Sequence, residues 1–143
     1  MVQKKRKMRE LAMQVLYLWD AAGASEVELA TQVTSDGSED DEVRRGALQM
    51  ANAAWEGRQI ADTWVERLAP QWPPRRQPPV DRNLLRLAIW ELTAGATPPK
   101  VVLDEAIELA KQFSTEQSPS FVNGVLDAVL KEHLALTGEK SSQ

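Results

Sequence analysis

Apolar positions along this chain recur at steps of three and four and do not form alternating runs, so the periodicity predicts helices and no strand. Between residues 4 and 20, Met8, Leu11, Ala12, Val15, Leu16 and Trp19 form one helical stripe, with Tyr17 set to its side. The run Ala21-Ala22-Gly23-Ala24 can end that helix. Ser25 can cap a second one, with Glu28 three residues on as in a capping box. Val27, Leu29, Ala30 and Val33 supply its apolar contacts. Residues 34–41 contain Gly37 and several acids and read as a loop feeding an acid-rich helix start. From 41 to 68 the helical period is long. Val43, Ala47, Met50, Ala51, Ala54 and Trp55 lead to Ile60, Ala61, Trp64, Val65 and Leu68, and Gly57 between them marks a kink or a break.

Prolines 70, 73, 74, 78 and 79 then exclude regular helix and predict a connection between two helical halves. Asp81 opens or caps a helix to residue 94, with Leu84, Leu85, Ala88, Ile89 and Leu92 facing inward and Arg82 and Arg86 on another face. Gly95 fits its C-cap. Residues 100–114 form the next helix. Residues 118–132 form the last, with Ser118 as N-cap and Pro119 at the first helical position. Phe121 lies in its first turn. Gly124 sits mid-helix, where it costs roughly 0.5–1 kcal/mol relative to Ala, which points to close approach by another backbone. The polar tail beyond Leu136 is expected to fray. The predicted fold is all-α: six or seven helices in one domain over 1–143, as two packed helical subdomains (about 1–69 and 81–136) joined by the proline-rich connection 70–80.

Composition narrows the class. The chain has 143 residues, 43% hydrophobic and 27% charged, as in a soluble globular protein. No apolar run approaches the roughly 18 residues of a membrane span, and the basic N-terminus lacks the apolar region of a secretory signal. With no cysteine, disulfides and thiolate metal sites are excluded, which fits a cytoplasmic protein. The net charge of −4 argues against general nucleic-acid binding, but its distribution is uneven. Lys4, Lys5, Arg6, Lys7 and Arg9 crowd the first nine residues with no acid among them, and the remainder is acidic. Cations at a helix N-terminus oppose the macrodipole. A polyanionic ligand would account for them; a solvated terminus is the plainer alternative.

Nothing points to catalysis. Walker-type loops, dinucleotide glycine patterns, HExxH and GxSxG are all missing. The one histidine, His133, falls near the end of the last helix beside its apolar stripe. Asp104, Glu105 and Glu108 read as a solvated face with Glu108–Lys111 pairing. Trp19, Trp55, Trp64 and Trp90 fit the core, while Trp72 is either a core plug or an exposed contact. No cofactor or metal is expected. A basic arm with aromatic residues at helix starts suits RNA, single-stranded rather than duplex, because unstacked bases are what aromatic side chains hold.

Four blocks sharpen this: RKMRELAMQVLY, DRNLLRLAIWEL, KVVLDEAIELAKQFS and SFVNGVLDAVLKE. In that order they resemble the NusB transcription antitermination factors over nearly the whole chain, most weakly across residues 25–80. The resemblance implies an all-helical, non-enzymatic RNA-binding protein. It would bind boxA-type RNA together with NusE, a small-subunit ribosomal protein, in the antitermination complex with RNA polymerase, notably on ribosomal RNA genes. It also implies residues. The family's arginine-rich N-terminus matches Lys4, Lys5, Arg6, Lys7 and Arg9, with lysine replacing several arginines and losing their planar fork. The RNA-contacting tyrosine matches Tyr17, the acid of the central helix matches Asp81, and the phenylalanine of the FVNG block matches Phe121. Glu116 and Gln117 fall in the loop that bears on NusE binding. The alternative is a related helical RNA-binding or self-associating module, as in the domain fused to some ribosomal RNA cytosine methyltransferases. A homodimer covering the RNA surface is compatible with either.

Overall fold

A computed structural model describes residues 2–138. Residues 139–143 of the polar tail lie outside the described residues. Among the described residues there are seven α-helices and no strand: α1 Val2–Ala22, α2 Val27–Gly37, α3 Asp41–Glu56, α4 Arg58–Leu68, α5 Pro79–Ala94, α6 Pro99–Phe113 and α7 Ser118–Thr137. The all-α expectation holds, and Gly57 marks a break rather than a kink. No helix among the described residues is long and apolar enough to cross a membrane.

The central element is α5, which touches α1, α3, α4, α6 and α7. Its buried residues include Leu84, Leu85, Leu87, Ala88, Ile89 and Leu92, and also Asp81, Asn83, Arg86 and Glu91. Pro79 starts it at a position where a missing N–H costs nothing. It ends at Gly95, whose φ of 79° is left-handed and needs glycine. Helix α5 therefore starts two residues before Asp81, which lies in its first turn and is not its cap.

One hydrophobic cluster runs through the protein and takes side chains from both halves of the chain, among them Leu11, Trp19, Val43, Leu85, Val102 and Leu126. Trp19 stacks edge-on against Trp55 with ring centroids 5.7 Å apart, and its indole N–H donates to the Glu26 carbonyl at 2.7 Å. Trp64 and Trp90 are only partly buried. Helix α1 lies along α3, where Gly46 lets the two approach: a Cβ there would run into Met8 Sδ.

Several local expectations change. The helical period of α2 continues through Thr34, whose hydroxyl donates to the Ala30 carbonyl, so the expected loop 34–41 shrinks to three residues, 38–40. Ser25 does not cap α2; Glu26 precedes it without a side-chain bond. Asp40 does cap α3, accepting from the Glu42 and Val43 amides. Gly124 is exposed, and a Cβ there would meet nothing within 4 Å. The helix penalty at Gly124 is therefore not explained by a neighbouring backbone.

Candidate nucleic-acid interface

The basic arm is helical from its first described residue, so its cations project around α1 in turn. Lys5 and Arg6 are exposed, while Lys4 and Lys7 are half-buried. Lys4 bridges Asp40 at 3.1 Å and Glu42 at 2.8 Å. The Glu42 and Asp40 hydrogen bonds hold its ammonium above the usual lysine range. Arg6 donates to Glu105 at 3.0 Å and Lys7 reaches Glu10 at 3.3 Å. The Lys4 and Lys7 pairs reach water, where such pairs are worth at most about 1 kcal/mol, so a phosphate can displace them, whereas the Arg6 pair is exposed only on the arginine side because Glu105 is buried.

Arg9 is different. It is 5% exposed, and its guanidinium donates to Glu91 at 2.9 and 2.7 Å. Thr97 Oγ1 also donates to Glu91, at 2.9 Å, and Glu105 lies 3.8 Å from Arg9. Arg9 thus leaves the expected set of phosphate contacts: it joins α1 to α5 and α6 inside the protein. Glu105 likewise leaves the solvated face expected of it, whereas Glu108 and Lys111 pair at 3.5 Å as expected. Arg82 and Arg86 also turn inward. Asp20 accepts from Arg82 at 2.7 Å and from Asn83 at 3.0 Å, and Arg86 pairs with Asp62 at 2.6 Å. His133 sits edge-on to Trp64 with centroids 6.4 Å apart.

Tyr17 is 40% exposed and lines a groove with Met13, Val33, Val80 and Phe113. Val80 and Phe113 immediately precede Asp81 and Ser114 in the chain. The groove therefore adjoins a larger cavity of about 680 Å³ at the junction of α5, α7 and the proline-rich connection. Asp81, Gln117 and Phe121 line that cavity, so the structure brings these three candidates together. Tyr17 stands in the neighbouring groove, and Lys5 in a separate one between α1 and α3 with Trp90.

Asp81 itself is 3% exposed. Its carboxylate accepts from the Ser114 and Ser118 hydroxyls, the latter at 2.8 Å. Ser118 in turn accepts from the Thr115 amide at 3.2 Å. Ser118 is therefore the first residue of α7, following an uncapped Gln117, and its hydroxyl ties the α6–α7 loop to α5 rather than capping the helix. Asp81 thus acts on this region by fixing the loop; its oxygens are occupied within the protein. Glu116 and Gln117 are exposed at the loop's tip, and Phe121 is half-buried on the turn that follows.

Sequence reasoning missed two residues of the cavity, Arg76 and Gln77. Nothing in the local pattern marks them, because the connection has no period to read. Trp72, left open between core and surface, is 55% exposed and lines the same cavity.

With this geometry in place, the comparisons with known proteins agree with one another. The family model described as the NusB family matches residues 6–131. The transcription antitermination protein NusB of Solibacter usitatus is 42% identical over 131 residues, covering 90% of this chain and 89% of that protein. NusB of T. maritima superposes with a TM-score of 0.77 at 34% identity, covering 90% of this chain and 91% of that one. A chain of the crystal structure of antitermination factors NusB and NusE in complex with dsRNA gives a TM-score of 0.83 at 28% identity, covering 92% and 99%. A sequence match running from the cationic face of α1 to the far part of α7, on a fold that superposes along its length, leaves one conclusion: this chain belongs to the NusB family.

Proposed function

We propose that this protein is a transcription antitermination factor of the cytoplasm that binds boxA-type RNA together with NusE and catalyses no reaction. The observation that carries the reading is the NusB-family match over residues 6–131, which takes in Arg6 and Lys7 of α1 and the Phe121 cavity. Lys4, Lys5, Arg6 and Lys7 supply phosphate attraction. Tyr17 and Phe121 supply flat apolar faces for unstacked bases. Asp81 holds the loop bearing Glu116 and Gln117, which face the partner.

The test is a fluorescence titration of boxA-like RNA, single-stranded and duplex, with and without purified NusE. The expected result is that single-stranded RNA binds more tightly than a scrambled control and that NusE tightens it. With four cations on the first turns of α1, two of them exposed and two half-buried, the plot of log affinity against log salt should slope at roughly −3 or less steeply. Phe121→Ala should weaken binding by about 1–3 kcal/mol. Equal affinity for boxA-like and scrambled RNA in the presence of NusE would sink the proposal. Preference for the duplex would move the contact from bases to shape.

A further inference from the structure

We infer that Glu105 is a positioning residue for RNA binding, pinning Arg6 as a ready-made phosphate clamp in line with the Tyr17 groove. The inference rests on the RNA-binding reading above and deepens it. Arg6 donates through Nε to both Glu105 oxygens, at 3.1 and 3.0 Å. Among the described residues it donates to nothing else, so both Nη groups are left for a ligand. A ligand can reach them, since the Arg6 side chain is 59% exposed while that of Glu105 is 11% exposed. Arg9 does not compete for the carboxylate. It spends Nε and Nη2 on Glu91, and its Nη1 stays 3.8 Å from Glu105. Glu105 is thus a buried acceptor whose hydrogen-bonded partner is an arginine held at the surface.

The neighbouring cations are not held in this way. Lys4 and Lys7 meet carboxylates that are themselves partly in water, and an ammonium is a point charge on a flexible stem. A guanidinium is a planar fork that grips a phosphate by two N–H groups at once, and fixing it in advance removes the cost of ordering it on binding. Its place decides what the clamp serves. Tyr17 follows Arg6 by about three turns of α1, roughly 16 Å along the axis, so the two lie on nearly the same side of the helix. On α6, the helix that carries Glu105, Phe113 lines the groove with Tyr17. Arg6 with Glu105 and Tyr17 with Phe113 are therefore two points on one seam between α1 and α6. A strand whose phosphate sits on the clamp has its bases led along the seam to Tyr17. Lys5 instead lines the groove between α1 and α3.

The carboxylate also repels a phosphate, but salt screens that repulsion and leaves the positioning in place. The experiment therefore titrates boxA-like RNA into the full chain with NusE at rising salt, for the wild type, Glu105→Gln, Arg6→Lys and the double variant. At about 0.3 M salt, where the screening length is under about 8 Å, Glu105→Gln should bind roughly fivefold more weakly than the wild type, although it has lost a negative charge. Arg6→Lys keeps its charge and should lose about fivefold as well. Adding Arg6→Lys to Glu105→Gln should cost less than about twofold more, since no fixed fork is left to lose. A merely structural role for Glu105 predicts additive losses, and that result overturns the inference. So does a Glu105→Gln affinity equal to or above the wild type's at that salt. Thermal melting checks that each variant is folded. If Glu105→Gln is not, Arg6→Lys decides alone, and wild-type affinity in it overturns the inference. A wild type that binds no RNA sinks the RNA-binding reading and this inference with it, whereas a wild type that binds and variants that match it sink this inference only.

Discussion

Glu91→Gln would leave the Arg9 guanidinium buried without its carboxylate. Both residues are 5% exposed, and the pair is joined by bonds of 2.9, 3.2 and 2.7 Å. Breaking a buried pair by removing one partner costs about 3–5 kcal/mol, because the remaining charge keeps its desolvation penalty. Here the lower end applies. Glu105 stays 3.8 Å from Arg9, and the amide oxygen can still accept one bond. A loss of roughly 3 kcal/mol is a large share of the 5–15 kcal/mol that holds a typical domain together. At about 2–4 °C per kcal/mol for a chain near this size, Tm should fall by roughly 6–12 °C. Circular dichroism melts and urea titrations read this directly. The double variant Arg9→Met/Glu91→Leu replaces the pair by apolar groups of similar volume and should melt near the wild type. It should also keep the wild type's RNA affinity, whereas Lys5→Ala/Arg6→Ala should lower it. A melting loss under 2 °C for Glu91→Gln would refute the energetic reasoning. A folded double variant that loses RNA affinity as the surface variant does would return Arg9 to the phosphate contacts.

Three further outcomes follow from the same geometry. Gly124→Ala should stabilise the protein by about 0.5–1 kcal/mol in urea titration, since the added methyl meets nothing; a destabilised variant would show that the position is constrained after all. Asp81→Ala should cost roughly 2 kcal/mol and speed hydrogen exchange at the Thr115 amide, because two hydroxyls lose their charged acceptor; unchanged exchange would mean the loop is held otherwise. Burial pushes the Asp20 carboxyl up, but bonds from Asn83 and Arg82 and the charges of Arg86 and Arg82 outweigh this and hold it below its ordinary 3.8. A depressed folded value means stability that is present above 3.8 and lost as pH falls through that folded value. The advantage of the wild type over Asp20→Asn should accordingly be constant above about pH 5 and shrink as pH falls below that in urea titrations, and a difference that stays constant into acid would contradict it.

Much of the fold was legible because helical periodicity is local. Leu84, Leu85, Ala88, Ile89 and Leu92 announce α5 within nine residues, and Gly95 ends it where expected. The misread boundaries had local causes too. Thr34 bonds backward to Ala30 and extends α2, and Ser118 spends its hydroxyl on Asp81 rather than on its own helix. That second partner is 37 residues away, beyond any window a periodicity can cover.

The candidate site divides along the same line. Charge and aromatic content sufficed to nominate the first turns of α1, Tyr17 and Phe121. Which charges are free to meet a ligand was not readable, because neutralisation is a matter of distance in space. Arg9 and Lys5 look alike in a run of cations, yet a carboxylate 82 positions away buries one and leaves the other in water. Gln77 and Trp72 lie in a stretch without a period, and only the packing of that connection against α5 and α7 turns them into the wall of a cavity. The helices and the identity of the core were thus set by the order of residues along the chain. The exposure of each charge, the partner of each buried polar group and the existence of the cavity were decided by tertiary packing, since burial and hydrogen bonding couple groups that sequence spacing keeps apart.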